Sequence, residues 1–253
     1  MNQILVTEKL YITPELKRKK KIYKFYFILS VFIVLILTSF YIYAEYDRNK
    51  SAEVSQQLLD DMNKTLEGTT EDTTIAQDDV LLVVLNGTTE ETQQEEQQSS
   101  VTTANEKAEW KTSAAGYKYK IIATVEVPKI SLKYTVVQGQ SGSIEETESL
   151  LKSSPVKYHG YDPNEVGNFC IVGHNYRNSK FFSKVPNLTV GDTVKLTDLT
   201  GRKINYEVYD KHTVDPSDTK DTTQLTGGRK ELTLITCTDD SKWRVIVRCK
   251  EVK

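Results

Sequence analysis

Between residues 25 and 43 the chain carries no charged side chain, and its apolar positions follow no amphipathic period. Phe25, Phe27, Ile28, Leu29, Val31, Phe32, Ile33, Val34, Leu35, Ile36 and Leu37 would cover every side of a helix. At a rise of about 1.5 Å per residue the stretch reaches roughly 28 Å, close to the hydrocarbon thickness of a bilayer. A helix apolar all round for that length predicts a membrane anchor rather than a core helix. Tyr23 and Tyr26 at one edge, and Tyr41, Tyr43 and Tyr46 at the other, suit the interfaces. Lys17, Arg18, Lys19, Lys20, Lys21 and Lys24 precede the stretch, and Glu45 and Asp47 follow it. That asymmetry predicts a single pass through the cell membrane, with residues 1–24 cytoplasmic and the bulk of the chain extracellular. A cleaved signal peptide fits less well. The stretch is long for one, and Ile42 stands where a small residue should precede a cut at Ala44.

From 44 to 116 the pattern changes to Thr, Gln and Glu, with acidic residues in excess. Val54, Leu58, Leu59 and Met62 recur at helical spacing and predict a short amphipathic helix over 52–66. Residues 69–79 and 88–105 carry too little apolar surface to offset the entropy of ordering, and predict an acidic extracellular stalk. The run Val80-Leu81-Leu82-Val83-Val84-Leu85 breaks that description. A docked strand, a partner-binding segment and a small helix all fit it.

From 117 to 253 the pattern predicts short strands over 119–127, 134–137, 169–172, 193–198, 203–214, 231–236 and 244–249. Their β-branched and aromatic residues are separated by Asp162-Pro163-Asn164, Thr200-Gly201 and Gly227-Gly228. In 203–209, Ile204, Tyr206 and Val208 alternate with Asn205, Glu207 and Tyr209. Short helical patches fall at 144–151 and 180–184. So many short strands in one domain predict an all-β fold, a closed or nearly closed barrel of seven to eight strands with short helices.

The chain has 253 residues and a net charge of −2, which allows one or two domains. Its 3 cysteines cannot all pair, and no essential disulfide is expected. Cys170 lies inside the run Phe169-Cys170-Ile171-Val172, and Cys249 lies in the last strand, so both read as packing residues. Cys237 instead ends a strand among Thr236, Thr238, Asp239 and Asp240, where its thiol meets solvent. Of the 3 histidines, His159, His174 and His212, it is His174 that follows a glycine at a strand end. Arg244 opens the final strand. A thiol, an imidazole and a guanidinium at strand edges suit a nucleophile, a proton carrier and an oxyanion clamp, and thus acyl transfer through a thioester. Asp239 and Asp240 read as a solvated turn.

Several strings in order resemble the sortases, cysteine transpeptidases of Gram-positive cell surfaces. Thr124-Val125-Glu126-Val127-Pro128-Lys129-Ile130 is similar to the family's first-strand segment and its I-P-x-I turn. Ser154-Pro155, Tyr158, Gly160 and Gly167-Asn168 lead into Ile171-Val172-Gly173-His174-Asn175, as before the catalytic histidine. Phe181-Phe182, Leu188 and Val190-Gly191-Asp192-Thr193-Val194 resemble the helix and G-D-x-V turn that follow. Thr233-Leu234-Ile235-Thr236-Cys237 is the most diagnostic string, and Arg244 falls at the family's arginine.

The resemblance implies a thiol hydrolase/acyltransferase with Cys237 as nucleophile, His174 as acid and base, Arg244 on the oxyanion or substrate, and Thr236 touching substrate. Arg248, on the same strand face, is the alternative arginine. The implied substrates are surface proteins with a C-terminal Leu-Pro-x-Thr-Gly-like motif, cut between Thr and Gly. The implied acceptor is an amine on a peptidoglycan precursor or a pilin. No cofactor, metal or nucleic acid is expected; of the calcium-binding carboxylates of some members, only Asp162 has a counterpart by offset. No Asp-Pro-aromatic lid is present, and 210–231 is short for the extra helix of class B, which leaves a class A- or D-like enzyme. A papain-like protease would place Cys before His, the reverse of this order. A non-catalytic extracellular module that binds sorting signals or mediates adhesion is the remaining alternative.

Overall fold

The computed structural model describes residues 14–71, 104, 106 and 108–252. The apolar run 80–85 and most of the predicted stalk around it lie outside these residues. The chain divides into two compact units, Met1–Lys50 and Ser51–Lys253.

Helix α1 spans Pro14–Glu71. In the first unit its apolar residues are exposed, Phe25, Leu35 and Tyr41 among them. By length and composition it is a candidate membrane span, the kind of surface a bilayer covers.

The second unit is built on nine strands: β1 (Lys111–Thr112), β2 (Lys118–Val127), β3 (Leu132–Gly139), β4 (Val156–His159), β5 (Gly167–Val172), β6 (Thr193–Asp198), β7 (Lys203–Val214), β8 (Lys230–Cys237) and β9 (Arg244–Glu251). Their order is β1-β2-β3-β4-β5-β8-β9-β7-β6, and β6 pairs back onto β2, which closes eight strands into a barrel with β1 appended. The expected all-β barrel is thus present, with β4 as a strand that residue pattern alone did not reveal. Two pairings are parallel, β3 with β4 and β5 with β8. Helix α2 (Ile144–Leu150) makes the first crossover, and β6 and β7 make the second. The patch expected at 180–184 is a 3-10 turn at Phe182–Asn187.

Closure removes the exposed edges that open sheets must protect. The interior fills from alternate positions: Ile122, Val125 and Val127 of β2, Ile171 of β5, Val194 and Leu196 of β6, Tyr206 and Val208 of β7, and Leu232 and Leu234 of β8. A second cluster lies outside the wall, where Leu58 and Met62 of α1 meet Ile121, Val137, Leu150, Val156 and Leu199, with Val54 and Leu66 at its margin. The amphipathic stretch 52–66 is therefore packed onto the barrel. Lys111 adds an ion pair to Asp61.

Met62 is 1% exposed. Met62→Ala should destabilise the barrel unit by about 2–5 kcal/mol, the usual cost of such a truncation. Denaturant unfolding of the full chain checks this; an unshifted barrel transition would show that the helix is not part of the folded unit.

Candidate active site

The site begins with the parallel pairing of β5 and β8, registered from Gly167↔Lys230 to Val172↔Ile235. Two further bonds extend that register past the end of β5. Gly173 N–H donates to the Ile235 carbonyl at 3.0 Å, and the Thr236 hydroxyl donates to the Gly173 carbonyl at 2.9 Å. The next residue on each chain is His174 and Cys237. On the other side, Cys237 pairs directly with Arg244 across the antiparallel β8–β9 ladder. All three line one cavity of about 260 Å³. Thr236 lines it too, but is 1% exposed with its hydroxyl engaged on Gly173.

The loop after β5 is held in several ways. A Cβ on Gly173 would lie 2.5 Å from Cγ of the buried Phe182 ring, so only glycine fits before His174. Phe182 N–H donates to the His174 carbonyl at 3.0 Å. Phe181 takes a left-handed backbone at φ 50°, and its N–H donates to the Tyr134 hydroxyl at 2.9 Å while the two rings stack. Tyr176 lies between the Phe181 ring and the His174 ring, with centroids 5.2 and 5.1 Å away. The Asn175 amide donates to the Cys237 carbonyl at 3.0 Å and to the Asp239 carboxylate at 2.9 Å, tying the segment after His174 to the one after Cys237.

Burial lowers the His174 pKa; the Glu148 carboxylate, in the cavity wall, opposes the shift, and Lys152 adds to it. Burial thus favours the neutral form of the resting imidazole. All three thiols are free. Cys170 and Cys249 are fully buried, and burial pushes the Cys170 thiol up to about 12 and raises that of Cys249 as well. Cys237 alone combines partial exposure with a place in the cavity.

The two arginines of β9 differ in their partners. Arg248 bonds the buried Glu231 carboxylate at 3.0 Å, lies 3.8 Å from Asp221, and covers the Tyr209 ring at 5.2 Å. Arg244 makes one long contact, 3.5 Å, to the Trp243 carbonyl and no ion pair among the described residues. Its charge stays available to the cavity. Asp240 caps its own turn through Thr238 and Lys242, whereas Asp239 receives the Asn175 amide. Asp162 is paired with Lys157 at 3.1 Å.

The connection from β7 to β8 supplies a further wall of the cavity, none of whose residues stood out individually in the sequence. Pro216, Asp218, Thr219, Asp221 and Thr222 line the cavity. The connection is anchored by Asn168 of β5, whose amide donates to the Asp221 and Thr223 carbonyls at 2.8 and 3.3 Å. His212 fastens it further, with Nδ1 3.0 Å from Asp210 and Nε2 2.9 Å from Asp221. A histidine two residues after an aspartate on an alternating strand was a weak signal; its second carboxylate comes from the fold.

The fold and site define a closed β-barrel that presents one accessible thiol beside an imidazole and an unpaired guanidinium. The family model described as the sortase domain matches residues 125–252, and the chain belongs to the sortase family, whose members are cysteine transpeptidases. No curated protein sequence matches the chain. Among solved structures, the Sortase D5 transpeptidase of Clostridium perfringens is similar at 24% identity and a TM-score of 0.51, over 80% of this chain and 100% of that one. Sortase A of Corynebacterium diphtheriae, in a lid mutant, is similar at 20% identity and a TM-score of 0.48, over 76% of this chain and 94% of that one.

Burial opposes a charge on His212, but the Asp221 and Asp210 carboxylates outweigh it and raise its pKa. A raised folded value contributes stability that is complete below about pH 6.5, the unfolded pKa, and is lost as pH climbs through the folded one. His212→Gln should therefore be less stable than wild type at pH 6, with a gap that narrows at higher pH. Thermal unfolding across pH checks this; a constant gap would contradict it.

Proposed function

We propose that the chain is a membrane-anchored transpeptidase that cleaves a Leu-Pro-x-Thr-Gly-like sorting motif between Thr and Gly. The observation that carries this reading is the convergence of His174, Cys237 and Arg244 on one cavity, with the other two thiols buried. Cys237 sulfur, its proton taken by His174, attacks the threonine carbonyl. Arg244 neutralises the oxyanion of the tetrahedral adduct. His174 returns the proton to the departing glycine nitrogen, and the C–N bond breaks to leave a threonyl thioester on Cys237. An incoming amine, of a peptidoglycan precursor or a pilin, gives its proton to His174 and attacks the thioester, and the Cys237 thiolate departs. Thr236 acts by holding the Gly173 carbonyl and presenting its own backbone at the cavity.

The basic cluster before residue 25 supports a cytoplasmic N-terminus, residues 25–43 supply the single span, and the catalytic domain, 117–253, works outside the cell. Secreted substrates and wall precursors meet there.

Full chain in detergent, incubated with motif peptides, should show an acyl adduct on Cys237 by intact mass, and that adduct should pass to an added amine. Cys237→Ala should abolish it, and Arg244→Ala should slow its formation about 10²–10³-fold, the scale for losing one oxyanion donor. A folded protein that binds the peptides yet never acylates would instead be a non-catalytic binder of sorting signals.

A further inference from the structure

Beside the active-site cavity lies a second groove of about 530 Å³, within the range of small-ligand sites. Thr147 and Tyr158 line both, so the groove adjoins the cavity that holds Cys237. We propose that this groove binds a neutral saccharide, the glycan portion of the acyl acceptor; this rests on the transpeptidase reading above.

The chemistry of the walls selects that ligand. Tyr158 and Tyr161 line the groove and are 52% and 58% exposed. Tyr161 is backed on one side: a Cβ on Gly167 would lie 2.6 Å from its Cδ2, so the ring rests against bare backbone there. A ring backed by main chain and otherwise open is a stacking platform for the C–H face of a pyranose. Gln138, Gln140 and His159 supply amide and imidazole groups along the same groove, and none of these side chains hydrogen-bonds within the described residues. Such groups match hydroxyl and acetamido substituents.

Charge argues the same way. The groove-lining residues include no carboxylate, and Lys157 is already paired with Asp162 at 3.1 Å. A phosphate or a peptide carboxylate therefore finds no unpaired ammonium or guanidinium there, and an acceptor ammonium finds no anion. The amine belongs in the neighbouring cavity, where Glu148 stands beside His174.

Both rims are set before any ligand arrives. The buried Glu146 carboxylate accepts the N–H groups of Gln140, Ser141 and Gly142 at 3.1, 3.0 and 2.7 Å. Burial would raise its pKa, but these donors outweigh that and hold it ionised. A Cβ on Gly139 would collide with the same carboxylate, at 2.2 Å. On the opposite rim a Cβ on Gly160 would lie 2.0 Å from the Asn168 carbonyl oxygen, which also accepts the Gln224 amide at 2.9 Å. A site formed in advance loses little ordering entropy on binding.

The test uses full chain in a detergent without a sugar headgroup and N,N′-diacetylchitobiose as the neutral probe, followed by ligand-observed NMR. Wild type should bind, Tyr161→Ala should weaken binding about tenfold, the scale of one lost ring contact, and Tyr161→Phe should restore it. An amine acceptor bearing the disaccharide should show a KM about tenfold lower than the same amine without it, an advantage that Tyr161→Ala removes. Equal binding by wild type and Tyr161→Ala, or equal KM for the two acceptors, would overturn the proposal. Thioester formation on Cys237 is read in parallel. Its absence would refute the transpeptidase reading, while the disaccharide titration still reports on the groove by itself.

Discussion

The parallel register between β5 and β8 is the constraint on which the site depends. A strand's side chains alternate faces, so a slip of one residue would turn Cys237 away from the cavity and disconnect it from His174. The register is locked inside the sheet by a buried pair, the Thr233 hydroxyl donating to the Asn168 side-chain oxygen at 2.8 Å. Both residues are fully buried, and an unmatched polar group there would cost on the order of 1–3 kcal/mol. Thr236 then repeats the device at the strand end, on the Gly173 carbonyl. Thr233 thus shares its strand face with the reactive cysteine, and Thr236 holds the opposite face beside it.

Asn168 also joins the register to the cavity wall. Its side-chain oxygen fixes β8, and its side-chain nitrogen captures the connection from β7. The charges behind that connection form one chain, Asp210–His212–Asp221–Arg248–Glu231, continued by the Tyr209 hydroxyl on Glu231. This distribution separates two arginines that look alike on one strand. Arg248 holds the scaffold, and Arg244, which lines the cavity with the Cys237 thiol, keeps its charge uncommitted.

The sequence made the candidate membrane span, the barrel class and the three residues that share the cavity, His174, Cys237 and Arg244, legible, because each rests on local pattern or on strings in fixed order. It hid what depends on partners distant along the chain. Strand β4 reads Val-Lys-Tyr-His and registers with β3 at the single pair Val137↔Val156, so no alternation announced it. Glu146 falls in the helical patch expected at 144–151, and nothing local announces the three N–H groups that the fold turns onto it. Asn175 entered only as the end of the string through His174, and its tie to the Cys237 carbonyl spans 62 positions. The helix over 52–66 was visible as amphipathic, but its polar surroundings suggested a stalk where the structure packs it on the barrel.

The register claim can be read directly by replacing His174 with cysteine. Side chains at 174 and 237 on neighbouring strands should close a disulfide under mild oxidation, measured as a loss of two reactive thiols and a 174–237 cross-linked peptide, with Cys170 and Cys249 protected by burial. Reactive thiols at both positions that never cross-link would mean that the two strand ends do not meet, and would contradict the site described here.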